Sequence, residues 1–200
     1  MSTIRRRVAT AAAAAGVALS PAVAAAPASA DHTPSADRSY THPRGHKAGH
    51  VVRDLTDAQF LARAARSNQF EIVTGELAQQ RAASDAVKAL GAMFVTHHTQ
   101  QLAAGAAVAQ QLGIPVPKDL SPAQRAQVDL LSRLSGRRFD RAWIRIQLLA
   151  HIKAVNLHLA GALTGDTKAV RDLALAGLPV VVTHLRELLE LSRGGQPADH

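Results

Sequence analysis

The chain has 200 residues and no cysteine. That absence excludes a disulfide framework, a thiolate metal site, a cysteine nucleophile and lipid attachment at an N-terminal cysteine. Aromatic residues are scarce: Tyr40, Phe60, Phe70, Phe94, Phe139 and Trp143 are the whole set, too few for the stacking platform of a nucleic-acid binder. A glycine-rich phosphate loop, a Gly-x-Ser-x-Gly elbow and a His-Glu-x-x-His helix are all missing. So is any Glu-x-x-His pair, which the ferritin-type di-iron centre takes from two helices along with two further glutamates. Di-iron oxidase chemistry is therefore disfavoured, and an enzyme is not the expectation. Any metal or acid–base chemistry must use His, Asp and Glu.

The first thirty residues have the layout of an export leader. Arg5, Arg6 and Arg7 precede an uncharged run from Val8 to Ala26, and Ala28-Ser29-Ala30 supplies the small residues of a cleavage site. Either the Sec or the twin-arginine route fits the arginine run. Without those three arginines the formal charge of +8 falls to +5. A modest positive balance outside the cytoplasm suits anionic cell-envelope polymers or lipid head groups, and is too dispersed for nucleic acid. No transmembrane anchor is expected in the mature chain. Residues 31–53 mix Pro, Gly, His and charge without an apolar period and read as a disordered linker. Its His32, His42, His46 and His50 are candidates for metal scavenging. Residues 54–194 form the folded body, and 195–200 a flexible tail.

From Leu55 onward the apolar residues recur with a helical period, and no strand pattern occurs. The first helix starts at Thr56-Asp57 and runs to about Ala83; the second starts at Ser84-Asp85 and is stopped by Gly113, Pro115 and Pro117. Gly105 lies on the apolar stripe of this second helix, where it would allow a neighbouring helix to approach closely. Ser121-Pro122-Ala123-Gln124 reads as a cap, a first-turn proline and a capping-box partner for a short helix to about Leu134. Two more long helices cover Arg137 to Leu163 and Asp166 to Gly194, with Pro179 placed to bend the last. The expected fold is all-α: a ferritin-like four-helix bundle of two helical hairpins, with one short extra helix in the connector.

Ionisable residues interrupt the apolar stripes, one per long helix. Glu71 shares a face with Phe60, Ala64 and Thr74; His98 lies between Phe94 and Leu102; His151 is flanked by Leu148, Ala154 and Val155; His184 by Val180, Val181 and Leu188. At ~1.5 Å per residue they stand roughly 18, 22, 21 and 28 Å from their hairpin turns, so they can share one layer. Three imidazoles and a carboxylate suit one transition-metal ion: Zn, Fe, Cu or Mn. The other reading of the same residues is a buried polar network that fixes helix register.

Weaker candidates surround this set. His97 points about 100° away from His98 on the helix, against a shared ion. His158 reads as a partly exposed boundary residue or a second-layer ligand, and Glu187 either orients His184 or faces solvent. Asp140 is too far along its helix to join His151 and reads as a first-turn acid offsetting Arg137, Arg138 and Arg141. Those arginines and Arg145 form the densest basic patch, a candidate anion-binding surface.

The segments FLARAARSNQFEIVTGELAQQRA, MFVTHHTQQLA, LSGRRFDRAWIRIQLLAHIKAVNLH and LPVVVTHLRELLEL resemble, in order and spacing, the bacterial exported proteins grouped as domain of unknown function 4142. The likeness spans about residues 55–192. It rests on Glu71, on Thr96-His97-His98, on Phe139-Asp140 with His151, and on Leu178-Pro179 with His184. Where the family usually carries Asp beside the second-helix histidine, this chain has His97. The resemblance implies export and a ferritin-like fold, and it implies no reaction.

Overall fold

The computed structural model describes residues 55–194. The leader, the linker with its four histidines and the tail 195–200 lie outside the described residues. Five helices follow in order: α1 (Asp57–Arg81), α2 (Asp85–Gln111), α3 (Pro122–Ser132), α4 (Gly136–Thr164) and α5 (Lys168–Gly194), with no strand among the described residues.

Their ends follow from local chemistry. Thr56 accepts from the Gln59 amide, Ser84 from that of Val87, and Ser121 closes a capping box with Gln124, each meeting backbone donors that a helix start leaves unpaired. Gly113, at φ 65°, turns the chain out of α2 in a conformation that glycine adopts without strain. α5 continues through Pro179 as one helix.

The two hairpins pair α1 with α2 and α4 with α5, and they dock through α1 against α4 and α2 against α5. Polar clamps fix the direction of docking. At one end the Asp57 carboxylate accepts the Thr167 N–H (3.2 Å), Asp166 accepts the Asp57 N–H (3.1 Å), and the Thr164 hydroxyl accepts the Leu55 N–H (3.2 Å). The start of α1 thus meets the end of α4, and neighbouring rods run antiparallel. The connector between hairpins must then travel the length of the bundle. It leaves beside Ile114 and Val116 in one apolar cluster and arrives at Leu131 and Leu134 in the other. A single long crossover between hairpins is the ferritin-like connection, as the sequence predicts.

At the other end Asp140 takes a role that its position on α4 did not suggest. Its carboxylate oxygens accept the backbone N–H groups of Ala83 (3.0 Å) and Ser84 (3.1 Å), capping the α1–α2 turn. It is 8% exposed and bonds across the bundle instead of offsetting the arginines of its own turn. Asp140→Asn can accept only one of these bonds and turns an amide N–H toward the other donor. The variant is expected to lose about 2–3 kcal/mol in urea unfolding, the value of charge-assisted bonds to a buried acceptor. An unchanged midpoint would remove the clamp from the account.

One more expectation changes. Gly105 sits at no close approach: a Cβ there would meet nothing within 4 Å, whereas one on Gly75 would lie 2.6 Å from the Gly91 carbonyl oxygen, where α1 and α2 touch. α4 is, by length and composition, apolar enough to cross a membrane; here it is a rod of the bundle.

The core has two apolar ends and a polar waist. Phe94, Phe139, Trp143 and Leu188 anchor one cluster, and Phe60, Leu61, Val170 and Ala174 the other. Between them lie Asn68, Glu71, Thr74, His98, Gln147, His151 and His184, all buried. Burying so many polar groups costs free energy unless each finds a partner, and how they are partnered defines the site.

Candidate metal centre

His98, His151 and His184 converge from α2, α4 and α5. Each offers one ligand atom, and these atoms all lie within 4.8 Å of one another. Glu71, the fourth residue that the sequence singles out, is buried beside Gln147 but is not a member of that set.

Outward hydrogen bonds orient the three rings. His98 Nδ1 lies 2.8 Å from the Asn68 side-chain oxygen, and His151 Nδ1 lies 3.0 Å from the Gln147 carbonyl oxygen. A carbonyl oxygen only accepts, so each Nδ1 carries the hydrogen and each Nε2 is left with its lone pair. His98 Nε2 is buried without a hydrogen-bond partner, and His151 Nε2 stands 3.3 Å from His184 Nδ1. Phe94 backs all three rings, with centroids 4.6 Å from His184, 4.7 Å from His151 and 5.7 Å from His98. For His98 and His151, lone pairs turned inward and N–H groups tied outward is the arrangement by which metal-bound histidines are held.

His97 is linked to this layer through His184 and not through His98. Its Nδ1 lies 2.9 Å from His184 Nε2, and the two rings stack with centroids 5.1 Å apart. His184 Nδ1 stands 3.3 Å from His151 Nε2, so one hydrogen on the His184 ring serves either His97 or His151, according to the tautomer. The Asp that the resemblance leads one to expect at position 97 could only accept from His184; the imidazole here can accept or donate. Glu187, a turn beyond His184, makes no hydrogen bond to it among the described residues, and both ring nitrogens of His184 are taken. His158 is buried, correcting the boundary reading. Its Nδ1 donates to the Ala154 carbonyl (2.9 Å), and it lies outside the three-histidine set.

Burial sets the protonation of the layer. It holds His98 well below the usual histidine value, lowers His151 to about 4, and lowers His184 to about 3, with the His151 and His97 rings adding to the shift at His184. The imidazoles are therefore neutral at physiological pH, the form that binds metal. Burial pushes Glu71 the other way, well above the usual carboxylate value, against a smaller opposing effect of the Gln147 amide. Neither Glu71 oxygen has a partner at hydrogen-bond geometry.

These shifts predict the pH response of metal-free protein. The unfolded chain takes up protons on these histidines below about pH 6.5, while folded His151 and His184 resist until about 4 and 3. Their contribution is thus complete above pH 6.5 and is lost as pH falls through that window. Glu71 acts with opposite sign but is one group against three. Melting temperature of chelated protein should drop steadily from pH 7 to pH 4; a flat profile would mean that the rings are not held neutral.

Fold and site together define a ferritin-like helical bundle with a buried cluster of three histidines at its waist. The chain belongs to the family described as a domain of unknown function (DUF4142), whose model matches residues 42–191. Among solved structures it is similar to a DUF305 protein of Streptomyces coelicolor, described as a candidate secreted protein. That match has 14% identity, a TM-score of 0.59, and covers 72% of this chain and 98% of that one. A DUF305 fragment from Deinococcus radiodurans matches at 19% identity and a TM-score of 0.61, covering 68% and 95%. CopM in the Cu(II)-bound form matches at 19% identity and a TM-score of 0.59, covering 70% and 99%. At these identities the likeness is one of fold. No curated protein matches the chain.

Proposed function

We propose that this protein is an exported helical bundle that binds one transition-metal ion through His98, His151 and His184. The observation that carries the reading is the convergence of three neutral imidazoles, two of which, His98 and His151, have their outer N–H groups bonded away from the centre. The His98 and His151 lone pairs face inward, and a cation there would turn the His184 hydrogen from His151 toward His97. Three nitrogen donors suit Zn and Cu, and Cu(II) binds such sites most tightly of the common divalent ions. That one neighbour of the same fold is a copper-bound protein supports copper. Glu71 supplies the charge: beside a divalent cation its carboxylate ionises, and it approaches as a fourth ligand or stays as a counter-ion. Export is supported by the leader and by the neighbour described as a candidate secreted protein.

Metal analysis tests the proposal. Untagged mature protein incubated with Cu, Zn, Fe and Mn salts, then desalted, should retain one equivalent of Cu or Zn per chain, and His98→Gln should retain a small fraction of that. Substoichiometric retention of every metal would end the reading.

A second, compatible reading concerns the surface. Arg137, Arg138, Arg141 and Arg145 are all exposed along the first turns of α4, and none forms an ion pair among the described residues. We propose that this patch holds the protein on anionic envelope polymers. Retention on such a polymer should weaken with salt and fall at least severalfold when the four are replaced by glutamine; equal retention would sink it.

A further inference from the structure

A cavity of about 690 Å³ lies beside the histidine layer, between α1, α2 and α5 and under the connector. Small-molecule sites typically measure ~300–1,000 Å³. Its walls are mainly apolar, with Phe60, Leu61, Leu102, Leu173 and Val180 among them. Its polar lining is Asn68, Gln69, His97, Gln100, Gln101, Lys118 and His158, and three of these are arranged alike. Gln69 donates its amide N–H to the Pro117 carbonyl (2.9 Å), Gln101 donates to the Gly177 carbonyl (3.4 Å), and His158 donates from Nδ1 to the Ala154 carbonyl. Each thereby spends a donor on the backbone. The side-chain oxygens of Gln69 and Gln101 have no partner and are packed out of reach of a water-sized probe, so a ligand meets them only once the amide turns, and His158 keeps a bare Nε2 lone pair against Gly177, where a Cβ would collide with it. Buried acceptors without donors are costly, and a ligand that brings donors relieves them.

Gly105 is the independent observation. It lines the same cavity inside the last third of α2, where glycine weakens a helix relative to alanine. The glycines at 75, 91, 161 and 177 are each met by protein atoms that leave no room for a Cβ, whereas at Gly105 nothing comes within 4 Å. The missing side chain serves no helix contact and keeps the cavity wide.

We propose that this cavity binds a small, uncharged, largely apolar molecule carrying hydroxyl or amide hydrogens, a phenol in character and not a hydrocarbon or an acid. The apolar walls take its body, and the His158 acceptor takes a hydrogen, joined by Gln69 or Gln101 when its amide turns toward the ligand. Lys118, exposed at the rim, disfavours a cation. This inference does not rest on metal binding.

The test titrates chelated mature protein with 2-naphthol and, separately, with its methyl ether, which has the same body and no donor. Calorimetry should find one naphthol per chain, and binding of the ether at least about fivefold weaker, the worth of one hydrogen bond. Gly105→Leu fills the space and improves the helix. It should weaken naphthol binding at least tenfold while unfolding at the same or a higher temperature. Gln101→Leu is the second variant: it should narrow the gap between naphthol and ether whatever its effect on stability. Absence of naphthol binding, equal binding of the ether, or undiminished binding by Gly105→Leu would each overturn the proposal.

Discussion

Mature protein saturated with Cu(II) should unfold about 8–16 °C above the same protein stripped with chelator, and His151→Gln should abolish the difference. An ion that binds only the folded chain stabilises it by mass action, about 4 kcal/mol at a thousandfold excess over Kd. In a domain of this size each kcal/mol moves the melting temperature by roughly 2–4 °C. His151 is the informative position because it is wholly buried, stands 3.3 Å from His184, and is oriented by a backbone carbonyl that no side-chain substitution removes. Glutamine keeps most of the volume, so the stripped variant should still fold, which separates loss of the ion from loss of the bundle. A shift of equal size in the variant would show that metal acts elsewhere, for instance on the histidines preceding the bundle.

Glu71→Gln should move two measurements in opposite directions. Burial raises the folded pKa of Glu71, so its contribution is present below about pH 4.5 and is lost as pH rises toward the folded value. At pH 8 without metal the carboxyl is a liability, and a neutral amide of the same shape, able to donate to the unpartnered Gln147 oxygen, should stabilise the stripped protein by about 1–3 kcal/mol. With metal the sign reverses. Loss of the only acid in the polar waist should weaken Cu(II) affinity at least tenfold. Unchanged affinity would place Glu71 among the residues that fix helix register and outside the centre.

The helix starts were legible because their causes are local: Thr56, Ser84 and Ser121 each cap a helix whose first turn follows directly. One ionisable residue per long helix was legible because the stripe period puts each of them inward, and all four are buried as expected. What escaped is what depends on partners distant in sequence. Asp140 bonds a turn 56 and 57 residues away, and His97 meets His184 across 87. Periodicity says which way a side chain points and is silent about what another helix brings to meet it. His158 went astray for a related reason: its burial comes from the packing of Gly177 on α5, which spacing along α4 does not encode. Exclusion of Glu71 from the close set depends on fractions of a helical turn that rise per residue cannot resolve.

The split of donors between the hairpins has a bearing on assembly. The first hairpin brings His98 and Glu71, the second His151 and His184, and neither alone presents three imidazoles to one point. Helical hairpins form early from local contacts, so the full coordinating set comes into being only at the later step in which they join along the crossover. An ion captured there would act as a latch on quaternary-like docking within one chain, and its uptake would report completion of the tertiary structure more faithfully than helix content does.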